Sequence, residues 1–467
     1  MSENIYDIAV IGSGPAGEKA ALEAAGLGAK VVVIEKGIRP GGASVITGTI
    51  PSKSLRETVK YVESLSRNDV SGVDLKLDRK ITIPELMHRK NNVVTERVED
   101  ILETYKSRGI EYIFGKGRFV SPNEIAVDCT ECGRDIKVKA KKFIIAVGTN
   151  PYHPPDITFD EKYVLDSDTI LQLDRIPESL AIIGGGVIGC EYASIFCKLG
   201  TQVFLIDPRG TLLDFIDQDI SEALAKQMEA DGIELCLGCQ YAKVEVKNDY
   251  VHIKLTTDDV IIASALLFAN GRQGMADELN LEVCGLEVNN RNQLEVNDNY
   301  QTEVPHIYAI GDVIGFPSLV SVSNEEGRMA ARSAVTGETT RRVGSDIPYG
   351  IYTIPEISMI GPTEKELQEA NIPYGVGICR FQDLARGLII GDRKGLLKLL
   401  FHKETHEMLG VHMYGQYASE LVHIAQAVIH YKGKIEYFLD NVFNFPTLSA
   451  AFKVAARQGL TRLNGTD

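Results

Sequence analysis

Three glycines near the start of the chain have the spacing of a loop that binds the pyrophosphate of a dinucleotide. Gly12, Gly14 and Gly17 follow an apolar run and precede a stretch of small residues typical of a helix. The first glycine permits a tight turn, the second lets the backbone approach a phosphate, and the third lets helix and strand pack closely. The next apolar run ends at Glu35, whose carboxylate can accept hydrogen bonds from ribose hydroxyls.

The same unit recurs in residues 180–207, as strand, glycine loop, helix, strand and acid. Gly184, Gly186 and Gly189 keep the spacing, and Asp207 takes the position of the acid. One GxGxxG is weak evidence because ordinary turns also contain it. Two complete units in one chain, however, predict two dinucleotide sites.

The end of the second unit gives two opposed indications of which nicotinamide nucleotide binds there. Asp207 favours the free 2′-hydroxyl of NAD, because a carboxylate repels a 2′-phosphate. Arg209, two residues later, can bind a phosphate with its planar fork of donors. The alternative is that Arg209 is a solvated loop residue. The sequence therefore leaves the preference between NAD and NADP open.

The length and the net charge of the chain limit the classes of protein to which it can belong. The chain has 467 residues, a net charge of −15 and eight cysteines. Its length predicts roughly two to four domains, and its negative charge argues against nucleic acid as a partner, because phosphate binding needs clustered Lys and Arg. No apolar run approaches the roughly 18 residues of a membrane span. Because the first residues carry no export signal, we expect a cytoplasmic protein with reduced thiols.

The segments outside the two units predict further strands and a third domain. Residues 138–151 read as a buried strand that turns at Gly148, and residues 306–312 as a strand that ends in Gly-Asp. Asp312, at that strand end, can bind a hydroxyl group of a cofactor, although Gly-Asp also makes ordinary turns. From about residue 346 the pattern changes to two strands joined by a polar turn, followed by an amphipathic helix, which predicts a separate α+β domain.

These landmarks, in this order, resemble the flavoprotein family with two dinucleotide-binding domains that includes dihydrolipoamide dehydrogenase and glutathione reductase. The resemblance covers essentially the whole chain. It implies FAD at the first glycine loop, NAD(H) or NADP(H) at the second, and a homodimer or larger homo-oligomer. The implied fold class is α/β, with two Rossmann-like dinucleotide-binding domains plus an α+β C-terminal dimerisation domain. The implied boundaries are residues 1–150 and 274–345 for the two parts of the FAD-binding domain, 151–273 for the NAD(P)-binding domain and 346–467 for the dimerisation domain.

The disulfide-reducing members of this family carry two cysteines in a segment, GGxCxxxGCIPSK, that residues 41–53 resemble. Here the segment reads GGASVITGTIPSK, so Ser44 and Thr49 stand at the two cysteine positions. A hydroxyl group cannot form a disulfide, so the relay of electrons to an external disulfide is lost. Phe445 and Ala450 stand where those members carry a His and a Glu that serve the thiols, and neither can move a proton.

Both nucleotide units remain although the thiols are absent, so the chemistry left is hydride transfer between a nicotinamide and the flavin. Longer segments, including GTIPSK and FNFPTLSAAFKVAA, resemble a branch of the family that exchanges hydride between nicotinamide nucleotides. This resemblance implies ping-pong transfer from NADPH to NAD+ without a redox-active disulfide. The substrates are then nicotinamide dinucleotides.

The resemblance also implies two catalytic residues, Lys53 and Glu191. In relatives this lysine lies near the flavin and pairs with the glutamate, and a cation there stabilises negative charge on the flavin. A purely structural ion pair is the alternative. The remaining cofactor-binding residues that the resemblance implies are Lys36, Gly42, Thr49, Gly148, Gly271 and Asp312.

Two other functions stay open at this stage, and the sequence argues against a third. A diaphorase or oxidase would pass electrons from NAD(P)H to a quinone or to oxygen, and no sequence feature excludes it. A non-catalytic flavoprotein that senses nucleotides would explain degenerate site residues. Dihydrolipoamide dehydrogenase activity requires the lost thiols and proton donors, so the sequence argues against it.

Several cysteines and histidines have spacings that suggest metal ligands, but we expect no metal site. The CxxC pairs lie too far apart for one zinc knuckle, and the histidines follow no ligand geometry. We expect buried thiols at the second pair and at Cys190, and solvated histidines on strands. These residues are Cys129 with Cys132, Cys236 with Cys239, and His402, His406 and His412.

Overall fold

The computed structural model describes residues 5–66, 82–129, 134–344 and 346–465. Within those residues, no helix is both long and apolar enough to cross a membrane. Cys132 and the side chain of Cys129 lie outside the described part, so the expectation for that pair stays a prediction.

Secondary-structure elements are numbered in chain order. The first stretch contains strands β1 (Ile5–Ile11), β2 (Val31–Glu35), β3 (Glu111–Phe114), β4 (Lys116–Ser121), β5 (Glu124–Cys129), β6 (Arg134–Ile145) and β7 (Thr149–Pro151), and helices α1 (Pro15–Gly26), α2 (Gly42–Ile46), α3 (Thr49–Ser66) and α4 (Ile83–Ser107). The second contains β8 (Val164–Leu165), β9 (Ser179–Ile183), α5 (Val187–Lys198), β10 (Gln202–Asp207), α6 (Gln218–Ala230), β11 (Glu234–Leu237), β12 (Tyr241–Lys247), β13 (Tyr250–Leu255), β14 (Val260–Ala263), β15 (Ala265–Phe268) and β16 (Arg272–Gly274). The remainder contains β17 (Ile307–Ala309), α7 (Val320–Thr336), β18 (Tyr349–Ile351), β19 (Ile357–Ile360), α8 (Glu364–Glu369), β20 (Tyr374–Arg380), α9 (Ala385–Ile390), β21 (Leu396–His402), β22 (Met408–Tyr414), α10 (Ala418–His430), α11 (Tyr437–Asp440) and α12 (Ala450–Leu463).

The first glycine unit belongs to a seven-stranded sheet in the order β3-β2-β1-β6-β5-β4, with β17 beside β6. Strands β1, β2, β3, β6 and β17 are parallel, and β4 and β5 are antiparallel additions. Strand β17 follows the second unit in sequence, so the chain leaves this sheet and returns to it. Helices α1 and α7 touch backbone to backbone there, since a Cβ at Gly327 would lie 2.3 Å from the carbonyl oxygen of Ala16.

The second glycine unit forms a five-stranded parallel sheet in the order β11-β10-β9-β15-β8. An antiparallel sheet of β12, β13 and β14 packs beside it. Strands β7 and β16 pair as a two-stranded ribbon at the entry to and exit from this part of the chain. The prediction of two parallel-sheet units is confirmed.

The C-terminal part of the chain, from residue 346, contains an antiparallel sheet in the order β18-β19-β22-β21-β20. Helices α10 and α12 cover one face with apolar side chains, and α6 of the second unit contacts β22. Both faces of this sheet are therefore covered. The prediction of an α+β domain, with β21 and β22 joined by a polar turn and followed by an amphipathic helix, is confirmed.

A buried lysine joins the second unit to this C-terminal sheet. Lys398 on β21 is 2% exposed in its side chain, and its ammonium group lies 2.7 Å from carboxylate oxygens of both Asp217 and Asp219. A third carboxylate, that of Glu364, also contacts it. Burial disfavours the charged lysine, but its hydrogen bonds to these carboxylates outweigh burial and raise the pKa of Lys398. The ammonium group thus fills the space between the three acids.

Two expectations about polar residues need correction. His412 is buried rather than solvated, because strand β22 is covered on both faces; its Nε2 lies 2.9 Å from the carbonyl oxygen of Pro362. Cys236 and Cys239 are only half-buried. Cys190, by contrast, is fully buried, and burial raises the pKa of its thiol, as expected for a packing residue.

Candidate active site

A cavity of about 1260 Å³ lies where the first sheet, the second unit and the C-terminal domain meet. It is lined by the residues predicted for the first glycine loop and for catalysis, namely Gly12, Gly14, Glu35, Lys36, Gly42, Thr49, Lys53, Gly148, Glu191 and Asp312. The other predicted site residues lie outside it, namely Gly17, Gly184, Gly186, Gly189, Asp207, Arg209 and Gly271. The structure thus brings the two catalytic candidates together with the first nucleotide unit.

The first glycine loop forms a cradle in which two glycines pack tightly and one stays open. A Cβ at Gly12 would lie 2.3 Å from the carbonyl oxygen of Ala146, and one at Gly17 would lie 2.0 Å from that of Gly12. A Cβ at Gly14 would approach only Gly42, at 3.9 Å. The open glycine faces the start of α1, where helix amides lack partners inside the helix and attract phosphate. This cradle fits the pyrophosphate of FAD.

Glu35 ends strand β2 at the edge of the cavity, and Lys36 follows it. Oε2 of Glu35 accepts hydrogen bonds from the amide and the hydroxyl of Ser13, at 2.8 and 2.6 Å, and Oε1 accepts from the amide of Gly37 at 2.7 Å. Glu35 therefore fastens the glycine loop to β2. Lys36 pairs with Glu278 at 2.8 Å, which ties this edge to the chain beyond the second unit.

Asp312 is a half-buried carboxyl group that lines the cavity. Burial raises its pKa, while the nearby Arg272 guanidinium and a 3.4 Å hydrogen bond from Thr149 favour the charged form. Burial also raises the pKa of Glu326 to about 7, and its Oε2 accepts a hydrogen bond from the Gly311 amide. A carboxyl group that lines the cavity and has few donors, as that of Asp312 does, fits a ligand rich in hydroxyl groups, such as the ribityl chain of FAD.

Sequence reasoning missed Arg272, although it directly follows the predicted Gly271. Its guanidinium donates to the carbonyl oxygen of Thr149 at 2.8 Å and to the hydroxyl of the same residue at 3.0 Å. It also reaches Ser167 at 3.1 Å. The side chain of Arg272 therefore bridges the second unit and the first, beside Asp312. The feature of the sequence that could have identified Arg272 is the arginine of the segment ANGR, residues 269–272.

Lys53 and Glu191 form the ion pair that the resemblance implies. Helix α3 places Lys53 over the cavity, and its Nζ lies 2.6 Å from Oε2 of Glu191, which α5 carries in from the second unit. The other oxygen of Glu191 accepts a hydrogen bond from the backbone amide of Tyr352 at 2.8 Å. The Tyr352 ring lies beneath the ammonium group, 4.9 Å from ring centre to Nζ. Glu191, which belongs to the second unit, thus joins the first unit at Lys53 to the C-terminal domain at Tyr352.

The two positions that carry thiols in disulfide-reducing relatives also line this cavity. Ser44 lies on α2, and Thr49 begins α3. No cysteine whose side chain the structure describes lines the cavity. Phe445, at the position of the proton-transferring histidine, is exposed on the surface of this protomer. Within the described residues, the cavity contains hydroxyl groups where a dithiol would stand.

The second glycine loop repeats the construction of the first. A Cβ at Gly184 would lie 2.8 Å from the carbonyl oxygen of Ala269, and one at Gly189 would lie 1.8 Å from that of Gly184. A Cβ at Gly186 would meet nothing within 4 Å. The first and third glycines are therefore required by packing, and the second leaves room for a pyrophosphate at the start of α5.

We expect Gly186→Ala to weaken the binding of both NADH and NADPH roughly 10- to 100-fold, because the added methyl group occupies the space that a pyrophosphate needs. The folded protein accommodates the methyl group, so its melting temperature should not change. The measurement is the dissociation constant of each nucleotide for the flavin-loaded protein.

The matched control for this change is Gly26→Ala at the end of α1, another position where a Cβ meets nothing within 4 Å. We expect wild-type binding and stability there. Gly189→Ala, whose Cβ would clash with backbone, is expected instead to lower the melting temperature. Unchanged nucleotide binding in Gly186→Ala would contradict a role of this loop in holding pyrophosphate.

Comparison with known proteins identifies the family. A model described as pyridine nucleotide-disulphide oxidoreductase matches residues 6–327, and the model of its dimerisation domain matches residues 347–456. The chain belongs to this family. Membership implies FAD and a nicotinamide nucleotide as its ligands, in agreement with the two cradles.

Two relatives at high identity carry the same name. The soluble pyridine nucleotide transhydrogenase of Marinomonas sp. (strain MWYL1) is 44% identical over 466 residues, which is 99% of this chain and 100% of the relative. A protein of that name from Escherichia coli O9:H4 is 43% identical over 461 residues, 98% of each chain.

Two solved structures share the fold of this chain over nearly its whole length. A Cu(II) complex of the HOCl-induced flavoprotein disulfide reductase RclA from Escherichia coli superposes with a TM-score of 0.88 at 25% identity, over 97% of this chain and 99% of that one. LpdA from Mycobacterium tuberculosis gives the same values. The predicted fold class is therefore confirmed.

Proposed function

We propose that this protein transfers hydride from NADPH to NAD+ through bound FAD, without a redox-active disulfide. The observation that carries the proposal is a cavity lined by the first glycine loop and by helix α5 of the second unit, with an ion pair at Lys53 and hydroxyl groups at Ser44 and Thr49. Support comes from two relatives named transhydrogenases that match nearly full length. FAD supplies the group that accepts hydride from one nicotinamide and returns it to another.

We assign the residues the following parts. The first cradle, with Glu35, Gly42 and Asp312, holds FAD, and the second cradle, with Asp207 and Arg209, binds the nicotinamide nucleotides. The ammonium group of Lys53 stabilises negative charge in the cavity, and Glu191 fixes the position of that ammonium group through a 2.6 Å contact. The domain boundaries that we expected from the sequence are retained as part of this proposal.

We further propose that the protein acts in the cytoplasm as a homodimer formed through its C-terminal domain. Residues 347–456 match the dimerisation domain of the family. Several large apolar side chains of this domain are exposed in the single protomer, including Leu388, Ile389, Tyr431, Val442 and Phe445. Apolar surface of this kind favours burial against a partner subunit.

Anaerobic titration of the flavin-loaded protein tests the proposed reaction. We expect NADPH to bleach the flavin absorbance and NAD+, added afterwards, to restore it. The control is the same titration with oxidised lipoamide in place of NAD+, which should leave the absorbance bleached because the cavity offers no thiol.

Failure of NAD+ to restore the absorbance would refute the proposal. Rapid restoration by oxygen or by a quinone, with slow restoration by NAD+, would instead support an oxidase or diaphorase.

A further inference from the structure

The acid at the end of the second unit is not free to accept hydrogen bonds from a ribose. Asp207 is 1% exposed in its side chain, and each carboxylate oxygen already has two donors. Oδ1 accepts from the backbone amide and Nε of Arg209, both at 2.8 Å. Oδ2 accepts from Nη2 of Arg209 at 2.8 Å and from the Gly185 amide at 2.5 Å. Asp207 is therefore covered by the guanidinium group of its neighbour.

The outer edge of the same guanidinium group is held by a second acid. Nη1 of Arg209 lies 2.7 Å from Oδ1 of Asp214. Arg209 is 40% exposed in its side chain and Asp214 is 50% exposed, so this second contact is at the surface. Arg209 thus lies between a buried carboxylate and an exposed one.

The two contacts differ in how readily they can open. Burial disfavours the charged form of Asp207, but the hydrogen bonds from Arg209 and Gly185 outweigh burial and lower its pKa. Breaking them would leave a charge inside the protein, which costs far more than opening a surface pair. The contact with Asp214 is the one that a ligand can displace.

We propose that Asp214 sets the preference of the second unit between NADP(H) and NAD(H), by competing with a 2′-phosphate for the outer edge of Arg209. This inference rests on the proposed function, because it assumes that nicotinamide nucleotides bind at the second unit. A 2′-phosphate entering there meets a guanidinium group rather than a bare carboxylate, so the repulsion expected from Asp207 is neutralised. Its charge of about −1.5 to −2 then replaces the single charge of Asp214 on Nη1.

A nucleotide without the 2′-phosphate leaves the pair of Arg209 and Asp214 intact. The arrangement therefore admits both nucleotides, which hydride exchange between them requires. Asp214 lowers the affinity for the 2′-phosphate, because that phosphate has to displace it and is repelled by it. Asp214, and not Asp207 at the end of β10, then decides the preference between NADP(H) and NAD(H).

Binding of two nucleotide fragments to the flavin-loaded protein, measured by calorimetry, tests this role. 2′,5′-ADP carries the 2′-phosphate, and 5′-AMP lacks it. We expect Asp214→Asn to bind 2′,5′-ADP about three- to tenfold more tightly than wild type, with 5′-AMP binding unchanged. The gain should shrink at high salt, since the pair is exposed to solvent.

The matched control is Glu222→Gln, which removes the same charge from a side chain that is 49% exposed and pairs with Lys226 rather than with Arg209. We expect wild-type affinity for both fragments in this variant. Arg209→Met should weaken 2′,5′-ADP binding, and adding Asp214→Asn to it should give no gain.

Each outcome is decisive. Equal or weaker binding of 2′,5′-ADP by Asp214→Asn would overturn the role of Asp214, as would an equal gain in Glu222→Gln. A gain that persists without Arg209 would also overturn it, because the competition is for that guanidinium group. If neither fragment binds the wild-type protein, the second unit is not a nucleotide site and the proposed function fails as well.

Discussion

Replacing Lys53 with methionine is expected to lower the rate of hydride transfer about 100-fold while the protein still folds and binds flavin. The ammonium group lies 2.6 Å from a carboxylate oxygen of Glu191 and 4.9 Å from the centre of the Tyr352 ring. Its removal takes away the positive charge to which we assign the stabilisation of negative charge in the cavity. The measurement is stopped-flow reduction of the bound flavin by NADPH, together with the midpoint potential of the flavin, which should fall.

Lys53→Arg is the control for charge, and we expect it to recover most of the rate and the potential. Glu191→Gln keeps an acceptor for the Tyr352 amide but loses the ion pair, so about a tenfold loss of rate is expected there. A Lys53→Met protein that loses melting temperature but keeps its rate and potential would show that the pair is only structural.

Replacing Lys398 with methionine is expected to destabilise the protein by about 3–5 kcal/mol. The substitution leaves the carboxylates of Asp217, Asp219 and Glu364 without their common cation, and Asp217 is 1% exposed in its side chain. The measurement is urea unfolding at neutral pH. Lys226→Met is the control, because that lysine is exposed and pairs with Glu222 on the surface, so we expect a change within about 0.5 kcal/mol.

The loss in Lys398→Met should become smaller as the pH falls. In the wild-type protein, burial opposes the charge of Asp217, but the interactions with His412 and Lys398 outweigh burial and lower its pKa. That lowered pKa contributes stability above the pKa of the unfolded chain, about 3.9, and the contribution is lost as pH falls through the folded value. Without Lys398 the acid protonates more readily, which removes the unpaired charge. A loss that is independent of pH would contradict this account.

The sequence predicts the parts of the site that depend on local backbone geometry. Both glycine loops lie where the spacing places them, since a turn, an open position and a close helix contact are all set within a few residues. The pairing of Lys53 with Glu191 spans 138 residues. Only a resemblance to a family could predict this pairing, because no local sequence pattern relates positions so far apart.

The missed features depend on packing between domains. The sequence predicts a solvated His412, but α6 of another domain covers β22 and leaves this side chain buried. Lys398 lies in the apolar run LLKLLF, and its partner Asp217 is 181 residues away. Arg209 was predicted as a phosphate ligand, but its contact with Asp214 depends on a loop conformation that spacing does not determine.

The contact between Glu191 and residue 352 restricts how this protein can be divided or recombined. A fragment that stops before the C-terminal domain would lack the amide that holds one oxygen of Glu191, so it would bind nucleotides with a loosened ion pair. Hybrids assembled from two relatives must therefore keep Lys53, Glu191 and the backbone of residue 352 in the same arrangement. Because the third contributor is a backbone amide, any side chain except proline can occupy position 352 and still complete the junction.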